Sequence, residues 1–117
     1  MKSTDGPTFH RPDWFSWNIP TWQTLLADFA NKPGLQFLEI GVFEGRATVW
    51  LLENILTNSS SKTVCVDSFI ADPETQITQA HAVSAKETFS DNVRKYGGKV
   101  EIHVGASQEV LRKLPLN

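Results

Sequence analysis

The sequence is poor in cysteine and shows no strong excess of charge. It has one cysteine, Cys65, so no disulfide can form within a single chain. The formal net charge is -2 and no run of basic residues is present, which argues against a nucleic-acid backbone as the main partner. Cys65 lies in the apolar run TVCVDSF, and we predict a buried strand residue in a reducing compartment.

Long apolar segments are also missing. The N-terminal stretch MKSTDGPTFHRPDWF lacks the apolar core of a signal peptide. No run approaches the roughly 18 apolar residues that cross a membrane. We therefore expect a cytoplasmic protein with no membrane partner. His10, His81 and His103 show no metal-ligand spacing, so no metal site is predicted.

What the sequence contains is an alternation of strand and helix patterns in a chain long enough for one small core. Strands that alternate with helices favour a parallel sheet with right-handed crossovers. The predicted fold class is α/β, a Rossmann-like doubly wound parallel sheet of about three strands with an N-terminal helix. Apolar runs predict strands at 35–40, 63–69 and 99–105, and helical spacing predicts helices at 46–56, 79–96 and 107–114, with Ser107 as the N-cap of the last.

The N-terminal region has a different character. Residues 1–13 are polar and are predicted to form a flexible arm. An amphipathic helix is expected around Pro20, which suits a first helical turn. Trp14, Phe15 and Trp17 precede this helix, and they either cap the domain or line a substrate pocket or a partner surface. The apolar stripe of the helix is formed by Trp22, Leu25, Leu26 and Phe29.

Ligands of doubly wound sheets bind beyond the carboxyl ends of the strands, so the residues that follow each strand are the candidates. Gly41 can make a tight turn and let a ligand approach the backbone. Asp67 follows the second glycine by about 20 residues, as in nucleotide-binding βαβ units, and could accept hydrogen bonds from two ribose hydroxyls. Ser68 or Phe69 could border a flat base. The candidates are Glu39, Gly41 and Gly45, then Asp67, Ser68 and Phe69, then Gly105, Ala106, Ser107 and Gln108.

The spacing of the glycines discriminates between ligands. Dinucleotide folds use G-x-G-x-x-G, and the P-loop pattern ends in Gly-Lys-Ser/Thr. Here the pattern is E-x-G-x-x-x-G, with the bulky residues 42–44 between the glycines. A pyrophosphate would meet side chains there, which disfavours a nicotinamide-dependent Rossmann enzyme. Glu44 and Arg46 are predicted to be solvated loop charges, with contact to charged groups of a cofactor as the alternative.

Three segments resemble a known family. LEIGVFEGRAT resembles motif I of class I S-adenosylmethionine-dependent methyltransferases, and VCVDSF resembles their second motif. VGASQEVLRKL is similar to the segment after the third strand in the catechol O-methyltransferase-like group. WFSWNIPTW also resembles a subset of bacterial methyltransferases. The resemblance covers about residues 14–117.

The resemblance implies that S-adenosylmethionine is the cofactor and that the reaction is methyl transfer to an unidentified acceptor. Many family members carry an acid where this sequence has Ala106, which offers only its backbone amide. The implied contacts are Glu39, Gly41 and Gly45 around the methionine part and ribose, Asp67 on the ribose hydroxyls, Ser68 or Phe69 beside the adenine, and Ser107 and Gln108 near the adenine amine.

Class I domains have seven strands, so the resemblance also implies that the chain is the N-terminal half of one. Residues 1–33 would be an arm with an aromatic-rich helix, and residues 34–117 the cofactor-binding half. Catalytic side chains and most of the acceptor pocket would lie beyond the closing LPLN. The edge at 35–40 would then be free for a second copy or a partner chain. A non-catalytic fragment that binds S-adenosylmethionine, or an assembly piece, stays open as the alternative.

Overall fold

The described residues form one parallel sheet. The computed structural model describes residues 6–71, 74 and 77–115, so parts of the predicted arm, of the loop at 70–76 and of the closing LPLN lie outside it. The predicted α/β, Rossmann-like class is confirmed. The strands are β1 (Gln36–Ile40), β2 (Lys62–Asp67) and β3 (Val100–Val104), in the order β1-β2-β3, with Leu38 beside Val64 and Cys65 beside Ile102.

Helices connect the strands in the predicted order. Pro20 lies in the first turn of its helix, as expected from its fixed φ angle. The prediction for Ser107 is wrong, because Ala106 is the N-cap of the last helix and Ser107 is its first residue. None of the described helices is long and apolar enough to cross a membrane. The helices are α1 (Ile19–Leu26), α2 (Arg46–Asn54), α3 (Gln79–Val93) and α4 (Ser107–Lys113), with short 3-10 segments at Ser16–Asn18, Ala27–Phe29 and Arg94–Lys99.

The core lies between the sheet and the helices α2 and α3. Cys65 is fully buried in it, as predicted. Trp22 and Leu26 of α1 pack against a second part of the core that α2 supplies. The first part consists of Val42, Val49, Cys65, Phe69, Ala85, Phe89 and Val93, and the second of Leu51, Leu52, Ile55 and Leu56.

In the part of the chain that the structure describes, the core covers one face of the first strand. Leu38 and Ile40 are 41% and 54% exposed, whereas Phe37 and Glu39, which alternate with them, are half-buried. Successive strand residues point to opposite faces. Among the described residues, apolar side chains cover the face of β1 that carries Phe37, because Phe37 packs against the second part of the core. The opposite face of this strand is therefore an apolar surface.

Candidate functional site

Two cavities meet at the carboxyl end of β1. The first, the strand-end cavity, has a volume of about 370 Å³ and is lined by residues that follow all three strands. The second, the aromatic cleft, has a volume of about 430 Å³ and lies between the N-terminal segment and the turn after β1. Ile40 and Gly41 line both, so the two cavities adjoin at the end of β1. The strand-end cavity is lined by Gly41, Asp67, Ser68, Ala106, Ser107 and Gln108, among others.

The turn between β1 and α2, residues 41–45, is called the glycine loop. Gly41 has a φ angle of +82° and Gly45 one of +88°, a region that side chains rarely adopt. A Cβ on Gly41 would meet nothing within 4 Å, whereas one on Gly45 would lie 3.0 Å from the Phe89 ring. Gly45 therefore allows close packing at the start of α2, and Gly41 places no side chain where the two cavities adjoin.

The Asp67 carboxylate organises this loop. Its Oδ2 accepts hydrogen bonds of 2.9 Å from the amides of Val42 and Phe43, and its Oδ1 accepts one of 2.8 Å from the amide of Phe69. A carboxylate has about four acceptor positions. One position on Oδ1 is left for a ligand that lies in the strand-end cavity.

The residues after β2 divide between the cavity and the core. Ser68 lines the strand-end cavity. Phe69 has a φ angle of +51°, and its ring is 7% exposed in the core, 6.1 Å from the ring of Phe89. Of the two residues expected beside a flat base, only Ser68 is therefore placed to contact one. The amide of Gly105 donates to the Asp67 carbonyl, which ties the third strand end to the second.

Glu39 lies on the floor of the aromatic cleft. Its burial raises the pKa of the carboxyl from the ordinary 4.5 to about 7. The Cys65 thiol donates to Glu39 Oε1 at 3.9 Å. The pKa of Cys65 is itself raised to about 12, first by burial and then by the Glu39 charge. Glu39 thus changes charge near neutral pH and favours a cationic or hydrogen-donating group in the cleft.

Aromatic side chains form the outer wall of this cleft. Trp14 lies 5.4 Å from the ring of Phe43, and Phe15 meets Trp22 edge-on at 4.8 Å. Phe15 is buried, whereas Trp17 is 75% exposed and does not line the cleft. The structure thus places two members of the predicted aromatic cluster, Trp14 and Phe15, at a cavity that Glu39 and Gly41 also line. Trp22 of α1 lines the same cavity.

Sequence patterns missed the attachment of the N-terminal segment. Residues 8–13, here called the strap, hydrogen-bond to the glycine loop and to α3, although a flexible arm was predicted. Glu44 is 4% exposed, which corrects the expected solvated charge, and it accepts hydrogen bonds from the amides of His10 and Arg11. Asn92 of α3 bonds to both Thr8 and Glu44. No pattern in the neighbouring sequence indicates these hydrogen bonds, because their partners lie far apart in the chain.

Arg46 also holds the strap, and it is half-buried rather than solvated. Its Nη2 donates to the Arg11 carbonyl at 3.2 Å, and its Nη1 lies 3.7 Å from Asp13 Oδ2. The guanidinium lies 4.2 Å from the centre of the Phe9 ring.

Within the described part of the chain, acidic, His and Cys side chains do not come together in any group of three or more that could hold a metal ion.

Comparisons with known proteins bear on the same segment. A family model described as a methyltransferase domain matches residues 38–117, which contain the glycine loop, all three strand ends and most of the lining of both cavities. No curated protein and no solved structure matches the chain. The matched segment is more than half of the 117 residues. The chain therefore belongs to the methyltransferase domain family.

Proposed function

We propose that the chain binds S-adenosylmethionine across the two cavities and presents its methyl group to an acceptor. The observation that carries this proposal is the junction of the strand-end cavity and the aromatic cleft at Gly41, inside the segment that matches the family. S-adenosylmethionine has a flat polar half and an amino-acid half, joined at a sulfonium. Two adjoining cavities of different lining suit such a ligand.

The strand-end cavity fits the adenosine half. The backbone and side chains of Ser107 and Gln108 supply hydrogen-bonding groups along one side of it. The remaining acceptor position on Asp67 Oδ1 suits a ribose hydroxyl. Three backbone amides, those of Val42, Phe43 and Phe69, already donate hydrogen bonds to this carboxylate. We therefore propose one contact between Asp67 and a ribose hydroxyl, in place of the two that its position at the end of β2 suggests.

The aromatic cleft fits the amino-acid half. Glu39 lies on its floor, and a neighbouring ammonium group favours the ionised carboxylate. Gly41 has no side chain at the junction, so a ligand can pass close to the backbone there. The aromatic rings around Trp14 and Phe43 attract a cationic centre and reduce the access of water.

When bound, S-adenosylmethionine supplies an electrophilic methyl group on a positively charged sulfur. The contribution of the chain is positioning, since displacement needs the acceptor nucleophile in line with the breaking bond. Gly41 and Asp67 fix the donor side of this arrangement, and the wall that carries Trp14 limits the directions from which an acceptor can approach. No general base is assigned to the chain.

Calorimetric titration of the chain with S-adenosylhomocysteine, and separately with NAD, tests the proposal. We expect the former to bind with one site and the latter to give no heat. Gly41→Val should abolish binding, because a branched side chain would block the junction. Gly34→Val is the matched control, since it adds the same side chain at a positive φ angle of +69°, its Cβ would meet nothing within 4 Å, and Gly34 lines neither cavity. A folded wild-type chain that fails to bind S-adenosylhomocysteine would refute the proposed function.

A further inference from the structure

We propose that Asn92 and Glu44 are positioning residues of the ligand site: they clasp the strap against the glycine loop and thereby hold one wall of the aromatic cleft. This inference rests on the proposed function, because the wall matters only if the cleft receives part of the methyl donor. The strap, residues 8–13, lies outside the segment that matches the family. Its hydrogen bonds to Asn92 and Glu44 connect it to that segment.

Asn92 joins three parts of the chain. It lies in α3 and is 8% exposed. Its Oδ1 accepts from the Thr8 amide at 2.9 Å, and its Nδ2 donates to the Thr8 carbonyl at 2.9 Å and to the Glu44 carbonyl at 3.0 Å. Buried amides with satisfied donors and acceptors are costly to replace, because their partners lose hydrogen bonds as well. One side chain thus links α3, the strap and the glycine loop.

Glu44 supplies the second half of the clasp. Its carboxylate is buried, and it accepts from the His10 amide at 3.1 and 3.2 Å and from the Arg11 amide at 3.0 Å. A buried charge is stable only when it is paired or hydrogen-bonded, and bonds between amides and carboxylates are among the stronger ones. Docking of the strap therefore supplies hydrogen-bond donors to the buried Glu44 carboxylate, and release of the strap would remove these donors.

The clasp acts on the cleft through the end of the strap and the residues that follow it. Pro12 of the strap lines the cleft, as do Trp14 and Phe15 after it, and Trp14 packs against Phe43 of the glycine loop. Arg46 adds a bond to the Arg11 carbonyl next to them. With the strap docked, the wall faces Glu39 across the cleft. With the strap released, the cleft would lose that side.

The docked fraction of the strap should set the apparent affinity of the chain for the donor. If the donor binds only while the strap is docked, its apparent dissociation constant equals the intrinsic constant divided by the docked fraction. A docked fraction of about one tenth then weakens binding about tenfold. The amides of His10 and Arg11 report this fraction, because their bonds to Glu44 protect them from hydrogen exchange only in the docked state.

The test compares the wild-type chain with Asn92→Ala and Thr88→Ala. Thr88 lies one turn earlier in α3 and is also 8% exposed, so it controls for the loss of a buried polar group in the same helix. On each protein, hydrogen exchange of the His10 and Arg11 amides and calorimetric affinity for S-adenosylhomocysteine are measured. We expect Asn92→Ala to speed exchange about 10- to 100-fold, because the undocked fraction rises. Its affinity should fall by the inverse of the docked fraction that the exchange rates give, about tenfold where one tenth of the chains stay docked. Thr88→Ala should change neither by more than about threefold.

Glu44→Gln provides a second variant in case Asn92→Ala fails to fold. It keeps the shape of the side chain and removes its charge, so strap protection and affinity should again fall together. An affinity that departs in either direction from the inverse of the docked fraction would overturn the inference, and so would equal effects in Thr88→Ala. Failure of the wild-type chain to bind S-adenosylhomocysteine would refute the proposed function and this inference with it, whereas binding without the coupling refutes this inference alone.

Discussion

The carboxylate of Asp67 accepts a hydrogen bond of 2.9 Å from the amide of Phe43, a residue whose φ angle is +49°. This bond helps to hold a non-glycine residue in a conformation that side chains rarely adopt. In Asp67→Asn, the single carbonyl oxygen can still accept from the loop, but the new NH₂ group would face the amide of Phe69. We expect the free energy of unfolding to fall by about 1–3 kcal/mol.

Urea unfolding of Asp67→Asn measures this loss. Asp28→Asn is the control, because Asp28 is exposed in the segment after α1 and its change should stay within about 0.5 kcal/mol. Equal stabilities for the two variants would mean that Asp67 does not hold the loop.

Gly45 should be far less tolerant of a side chain than Gly98. In Gly45→Ala, the positive φ angle and a Cβ at 3.0 Å from the Phe89 ring both oppose folding, and we expect a loss of about 1–3 kcal/mol. Gly98→Ala meets neither obstacle, so its stability should be unchanged or slightly higher. Thermal melting of both variants checks this difference, and a neutral Gly45→Ala would show that the loop can rearrange without cost.

The stability of the fold should depend on pH through Glu39. Its pKa is raised from 4.5 in the unfolded chain to about 7 by burial, so the folded state favours the neutral acid. The stabilisation that Glu39 gives through this preference has its full value below pH 4.5 and decreases as the pH rises to about 7. Above that pH the free energy of unfolding no longer changes through Glu39. In Glu39→Gln, a neutral side chain of the same shape, the slope between these pH values should disappear.

Urea midpoints across this pH range, measured for wild type and variant, test the pKa of Glu39. Glu109→Gln, which changes an exposed acid of α4, should keep the slope of the wild type. A slope that persists in Glu39→Gln would assign the pH dependence to another group.

We propose that a second copy of the chain pairs with the free edge of β1. Among the described residues this strand has one neighbour, β2, and it exposes Leu38 and Ile40. A lysine on an edge strand opposes such pairing. Light scattering should therefore show a dimer for wild type and a monomer for Leu38→Lys. Ile102→Lys changes an equally exposed residue, at 40%, on the other outer strand and should leave the dimer intact. A monodisperse wild-type monomer at high concentration would contradict the pairing.

Much of the fold follows from local patterns in the sequence. Alternating strand and helix periods predicted the three strands and the helices between them, because a parallel sheet needs such crossovers. The glycine pair marked the loop at the end of β1, since Gly41 and Gly45 both have the positive φ angles that favour glycine. These features depend on neighbours in the chain, and sequence patterns report them directly.

The features that sequence reasoning missed depend on contacts between distant residues. Glu44 reads as a loop charge beside Arg46, and its burial follows from a strap that lies more than 30 positions earlier in the chain. Asn92 reads as a polar residue in a helix, yet its partners are Thr8 and Glu44. Phe69 was grouped with the site because it follows β2, but its backbone turns the ring into the core.

We propose that one donor molecule occupies both cavities across Gly41. The most direct measurement is a titration of the isotope-labelled chain with S-adenosylhomocysteine, followed by the chemical shifts of its amides. We predict that the largest changes occur at Gly41, which lines both cavities, at Gln108 of the strand-end cavity and at Phe43 of the aromatic cleft. Changes confined to the hollow of about 450 Å³ on the outer face of α3, lined by Lys86 and Ser90 among others, would contradict it, as would the absence of any change in a folded chain.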